Sequence, residues 1–247
     1  MEIKARTEGK AIQVVLSFLI KKPTVLYITA LNDKRANTVY IRNNKYELAE
    51  GVQPVLLNFP LSPADYVVIK ITPDNGGWEL VGMSSQRIPE SPVMLDALGW
   101  QFLRFVEEFA HESGDTDTGM YGDNGGKFFI NFMPQMYDER EGYLDTPAQI
   151  EHNTGEMQVA KKFWDNLTVP ARVQISMHEW FHFHDDETIE KEVDLRAAAV
   201  TMPLGYPRQE ILYAITKIIP SEYSSGFPIQ ENRERANAMF RFINSYS

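Results

Sequence analysis

His178-Glu179-Trp180-Phe181-His182 is an H-E-x-x-H pattern, the arrangement of residues in this chain with the clearest chemistry. On a helix of about 3.6 residues per turn, positions four apart lie one above the other. His178 and His182 can then hold one metal ion, with the Glu179 carboxylate beside them. This is the ligand pair of a zinc hydrolase. The ordinary alternative is a partly buried helix whose two histidines find hydrogen-bond partners. The chain has no cysteine, so disulfides and thiolate sites are excluded, and zinc would be held by imidazole and carboxylate. A catalytic zinc needs a third protein ligand and an open position for water. Candidates lie just downstream. On an unbroken helix Glu190 would sit about 12 Å beyond His182, at about 1.5 Å per residue, so the chain must turn before it. His184-Asp185-Asp186-Glu187-Thr188 has no Gly or Pro, but Asp and Thr are suited to ending one helix and capping the next. His184, two positions on from His182, points to the other side of the helix and is not expected to be a ligand.

The elements that position these residues are set by composition and period. The 247 residues are 43% apolar and 12% aromatic, enough for one large or two small domains with real cores. A formal charge of -10 and a pI near 5.0 leave no basic patch to displace counterions from a phosphate backbone, which argues against nucleic acid. After Met1-Glu2-Ile3-Lys4-Ala5-Arg6, the apolar run Ala11 to Ile20 is too short to span a bilayer and lacks a small-residue cleavage site. The expectation is a protein without export signal or membrane span, cytoplasmic or held within a virion or other assembly.

Apolar and β-branched runs at Ile12–Ile20, Thr24–Thr29, Thr38–Ile41, Pro54–Phe59, Tyr66–Ile71 and Trp78–Val81 predict an N-terminal all-β sandwich. Thr72-Pro73-Asp74-Asn75-Gly76-Gly77 predicts a tight hairpin between the last two. Ser91-Pro92 then marks a change of period. Ser91 can cap a helix on which Leu95, Leu98, Phe102, Phe105 and Phe109 share a face. The expected fold is thus α+β. Residues 1–90 form a β-sandwich-like docking domain, and 91–247 a mainly helical domain with a small sheet. Gly114 to Gly126 reads as a flexible loop before the strand-like Lys127–Phe132; an EF-hand would need Gly at Met120 and Glu at Gly126. Pro134 to Asn153 reads as polar and irregular. Thr168-Val169-Pro170 opens the histidine helix, whose apolar stripe runs through Val173, Met177 and Phe181. Helices from Pro207 and over Arg233–Ile243 are core faces to which no chemistry is assigned.

Downstream of the histidines, Ile189-Glu190-Lys191-Glu192-Val193-Asp194-Leu195-Arg196-Ala197-Ala198 resembles the E-x-x-x-D helix of gluzincin metallopeptidases. With Ala199-Val200-Thr201-Met202-Pro203 after it and Arg172–Met177 before the motif, the segment is most similar to the ImmA/IrrE family, over about residues 170 to 210. The resemblance implies a zincin-like domain in which Glu190 is the third zinc ligand. It also implies that Asp194, one turn on, is an acceptor that fixes a ligand histidine. Trp180-Phe181 stands where that family usually has a small residue, and the gap from His182 to Glu190 is short, which together predict a narrow site.

The activity implied is hydrolysis of a peptide bond in a protein or peptide substrate. Glu179 would act as general base, passing the proton of a metal-activated water to the leaving amine. Tyr121, Tyr137, Tyr143, Tyr206 and His152 are the candidates for stabilising the oxyanion. The edge strand for substrate is either Lys127–Phe132 or Met157–Ala160. The rival expectation is a non-enzymatic scaffold, such as a bacteriophage virion component, docking into a multi-protein assembly through its site-free β domain.

Overall fold

The computed structural model describes residues 1–60, 65–88, 95–140, 142–218 and 229–245, with the side chains of 216–218 and 229–230 outside the description. Two compact units divide the chain. One comprises Met1–Ser91 with Leu204–Pro207, the other Pro92–Pro203 with Arg208–Ser247. The second stretch of chain is therefore interrupted by a short return segment that no period in the sequence marks. The fold is α+β, strand-rich first and helical after.

Among the described residues, seven strands build the first unit: β1 (Glu2–Arg6), β2 (Ile12–Ile20), β3 (Thr24–Asn32), β4 (Val39–Leu48), β5 (Gly51–Phe59), β6 (Tyr66–Pro73) and β7 (Trp78–Arg87). They form two antiparallel sheets, ordered β1-β6-β3-β4 and β5-β2-β7. Every second residue of β2 and β3 is buried, as period-2 alternation requires when one face meets a core. Tyr40 from one sheet meets Phe59 from the other edge to face, with ring centroids 6.0 Å apart. The run Ala11–Ile20 thus supplies a core strand, and among the described residues no helix is long and apolar enough to cross a membrane.

Thr72–Gly77 turns the chain but makes no hairpin, because β6 and β7 belong to different sheets. The Asp74 carboxylate accepts from the Thr24 hydroxyl (3.1 Å) and the Val25 amide (3.2 Å), which ties the turn to the start of β3. Gly77, at φ +109°, then lets the chain leave toward the other sheet.

In the second unit, α1 (Ala97–Glu112) is capped by Asp96, whose carboxylate accepts from the Gly99 amide at 2.7 Å. The Ser91-Pro92 cap lies outside the described residues. A mixed sheet follows, ordered β12-β13-β9-β8, from β8 (Gly119–Gly122), β9 (Phe129–Met133), β12 (Ala148–Ile150) and β13 (Met157–Ala160), with β13 parallel to β9. Between β9 and β12, β10 (Tyr137–Asp138) pairs with β11 (Gly142–Tyr143). Two stretches read from the sequence as irregular therefore carry strands. Their strands are two to four residues long, too short to show a period. The Asp123 carboxylate is committed to the backbone, accepting from the amides of Gly125, Lys127 and Phe128, and closes the turn before β9.

Among the described residues, the helices α2 (Lys161–Trp164), α3 (Val169–His184), α4 (Glu190–Thr201), α5 (Arg208–Ile218) and α6 (Ile229–Ser245) complete the unit. From Val169 to His178 every residue of α3 is buried, including Arg172, Gln174 and Ser176, so the helix has no single apolar stripe. It is packed by α1, α4, α5 and β12 together. Trp180 stacks on Phe102 of α1, with centroids 4.3 Å apart, about 200° around α3 from His178. Its bulk fills the core on the far side of the helix.

Candidate metal centre

Two helices, each offering a pair of residues four apart, make the site. α3 carries His178 and His182, and α4 carries Glu190 and Asp194. The helices run antiparallel, so the pairs meet in reverse order. Gln174 accepts from the Thr201 hydroxyl at 2.6 Å, His178 meets Asp194, and His182 meets Glu190. The turn between them is short because Asp186 adopts φ +51° just after the Asp185 cap of α3, a conformation Asp tolerates better than most residues. Thr188 does not cap α4. The N-cap is Ile189, with no side-chain cap bond, and Glu187 Oε1 instead accepts the Ile189 amide at 3.0 Å. Glu190 thereby becomes the first residue of α4, where a carboxylate also complements the helix dipole.

His178, His182 and Glu190 each bring one ligand atom into a group in which all lie within 4.8 Å of one another. The Nε2 atoms of the two histidines are 3.2 Å apart. His178 Nε2 is 3.4 Å from Glu190 Oε2, and His182 Nε2 is 3.3 Å from Glu190 Oε1. Bonds of about 2.0–2.1 Å to a tetrahedral ion place its ligands about 3.3–3.4 Å apart. The two Nε2 atoms have nearly that spacing, and each lies as close to a different oxygen of the Glu190 carboxylate. The far ring nitrogens each face an oxygen, His182 Nδ1 in a hydrogen bond and His178 Nδ1 at ion-pair distance. His182 Nδ1 is 2.7 Å from the Glu187 carbonyl, and His178 Nδ1 is 3.0 Å from Asp194 Oδ1. With protons on both Nδ1 atoms, two lone pairs and a carboxylate converge on one point. Either added protons or a metal ion relieves that repulsion, and the donor set could hold a metal ion.

In the metal-free state protons take this role. Burial alone would push the His178 imidazole down, but Asp194, Glu190 and Glu179 outweigh it and raise the pKa to about 9. His182 is raised too: burial opposes, and Glu190 prevails. Burial would lift Glu190, yet the two imidazoles and Arg235 hold its carboxyl far below the usual range. A histidine raised from 6.5 to about 9 contributes stability that is fully present below pH 6.5 and is lost as pH rises through 9. Chelator-treated protein is therefore expected to lose up to about 3 kcal/mol of unfolding free energy between pH 6.5 and 9.5, measured by urea denaturation. His178→Gln removes that slope. A slope unchanged in this variant would assign the loss to other groups.

Glu179 is set beside the donors by its place next to His178. Burial pushes its carboxyl up, against the pull of both imidazoles. Oε2 accepts the Ile150 amide at 3.1 Å, which brings β12 against the site. Close approach of the β12–β13 turn needs Gly155, at φ +71°, where a Cβ would lie 2.7 Å from the Phe183 ring. The strand beside the site is thus β12, rather than Lys127–Phe132 or Met157–Ala160. Its three residues gave no readable alternation.

The other singled-out side chains sit elsewhere. His184 stacks on Trp180 and lies 2.7 Å from Asp185. The Tyr121 hydroxyl donates to the Asp117 carbonyl at 2.6 Å, and Tyr137 packs on Tyr143 in an exposed hairpin. Tyr206 is buried in the return segment of the first unit, and His152 is exposed in the turn after β12. The sequence reading missed Arg235. Its Nε is 2.8 Å and its Nη2 3.1 Å from the Asp194 carboxylate, and Nη2 is also 3.0 Å from Glu190 Oε2. Forty-one residues separate Arg235 from Asp194, so no local spacing could have found it. Compared with protein-family models, curated proteins and solved structures, the chain matches none.

Proposed function

We propose that this chain is a zinc-dependent peptide-bond hydrolase with a gluzincin-like site, in which His178, His182 and Glu190 hold the metal and Glu179 is the general base. The observation that carries this reading is the convergence of His178, His182 and Glu190, whose two Nε2 atoms are 3.2 Å apart and each within 3.4 Å of an oxygen of the Glu190 carboxylate, with a half-buried carboxylate next to them. Zinc held there would supply Lewis-acid chemistry, activating a water and polarising the scissile carbonyl. Glu179 takes the proton from the water and delivers it to the leaving amine. A carboxyl pushed up by burial is better matched to that exchange near neutral pH than an exposed one. Asp194 holds the His178 ring, and the Glu187 carbonyl holds the His182 ring, so that both present Nε2.

An extended peptide is the substrate best suited to the strand beside the site. Glu151 donates to Glu156, and Pro147 accepts from Ala160, so these residues face β13. By alternation the main-chain groups of Ala148 and Ile150 face away from it, toward the side on which the Ile150 amide meets Glu179. A chain added along that edge would lie across the metal site.

The test is zinc stoichiometry of the dialysed protein together with cleavage of an unstructured peptide pool. One equivalent of zinc is expected, with cleavage that a chelator removes and added zinc restores. Protein without stoichiometric metal sinks the reading. Bound zinc with no cleavage across several substrates and pH values would favour the scaffold instead.

A further inference from the structure

The buried cation of α6 has no part in the chemistry above, yet it touches two of the acidic groups on which that chemistry depends. Arg235 is 2% exposed, and its guanidinium grips Asp194 with two nitrogens. The same Nη2 reaches Glu190 Oε2 at 3.0 Å. The Glu190 carboxylate straddles the centre, with Oε1 toward His182 and Oε2 toward His178. Left alone, it is placed to bind one ion through both oxygens. We infer that Arg235 is a positioning residue of the metal centre: by holding Oε2 it leaves Oε1 as the single oxygen that Glu190 offers, and its planar fork fixes the Asp194 carboxylate that orients His178. This rests on the metal-binding half of the proposed function and is independent of hydrolysis.

The ordinary alternative is an ion pair that only neutralises two neighbouring carboxylates four residues apart. The two differ in what each nitrogen must do. Neutralisation needs a charge, whereas positioning needs a fork, and Lys supplies the first without the second. Holding Glu190 to one oxygen also keeps the coordination number at four once a water joins three protein ligands. The added positive charge has a second effect, making the centre a stronger acid.

Metal affinity is a poor readout here. Loss of an orienting partner typically weakens binding about 10–100-fold, whereas removing a nearby cation strengthens it. Coordination and acidity are better. The protein is loaded with Co²⁺, whose visible bands weaken as coordination number rises, and wild type is compared with Arg235→Met and Arg235→Lys. Wild type is expected to show intense four-coordinate bands. Arg235→Met should show weaker bands, as Glu190 closes with both oxygens. The pH midpoint of its cobalt spectrum should rise by about two units, from loss of a unit charge roughly 6 Å away at an effective dielectric constant of ~20. Arg235→Lys restores the midpoint and only part of the intensity.

Should Arg235→Met not fold, X-ray absorption of the zinc-loaded wild type and the lysine variant still decide. A single Glu190 oxygen in the wild type supports the inference. Both oxygens on the metal, or identical cobalt spectra in all three proteins, overturns it alone. Wild type that binds no metal overturns it together with the proposed function.

Discussion

Glu179→Gln is expected to retain one equivalent of zinc while peptide hydrolysis falls by about 10²–10⁴-fold, the usual contribution of a positioned general base. The substitution keeps the shape of the side chain and removes its ability to accept a proton. Glu179 is not one of the three grouped donors, and its Oε2 accepts the Ile150 amide. The amide oxygen of glutamine can keep that hydrogen bond, so β12 stays in place. Zinc content by atomic spectroscopy and the steady-state rate on one peptide measure both halves. Equal rates for wild type and variant would remove Glu179 from the mechanism. Loss of zinc would instead make it a ligand.

His182→Ala loses the metal as well as the activity, because it removes one of three donors and leaves Glu190 facing a gap where its Oε1 had a partner at 3.3 Å. The effect is legible in stability without any substrate. A site that binds only the folded chain adds about 2.7 kcal/mol to wild-type unfolding at a metal concentration 100 times Kd. His182→Ala should gain nothing from the same zinc. The variant tests the ligand set separately from the general base, since Glu179→Gln keeps the gain. A zinc-dependent increase persisting in His182→Ala would move the metal elsewhere.

Removing the proton from the donors is part of metal binding, so loading should tighten as pH rises toward 9, by about tenfold per unit for each proton displaced. The same protons stabilise the metal-free protein at lower pH.

What the sequence determined by itself was local. β2 and β3 could be read because they are runs of apolar and β-branched residues, although β3 extends to Asn32 and the alternation that buries one face of each appears only in the folded sheet. The i, i+4 histidines could be read because the helix places them on one face whatever surrounds it. The pairing of Glu190 and Asp194 one turn apart on the next helix was legible only through resemblance to a family's motif. Tertiary structure decided the rest. Thr72–Gly77 has the composition of a hairpin turn, but which strands pair depends on which sheet each strand joins, and here Asp74 is drawn to Thr24. β12 is three residues long, too short for a period, and it exists as an edge because β13 and α3 hold it. Arg235 sits on a helix whose spacing reads as a core face. Its role comes from a bidentate pairing with Asp194 across forty-one residues of chain, a contact encoded by packing and charge, not by position along the sequence.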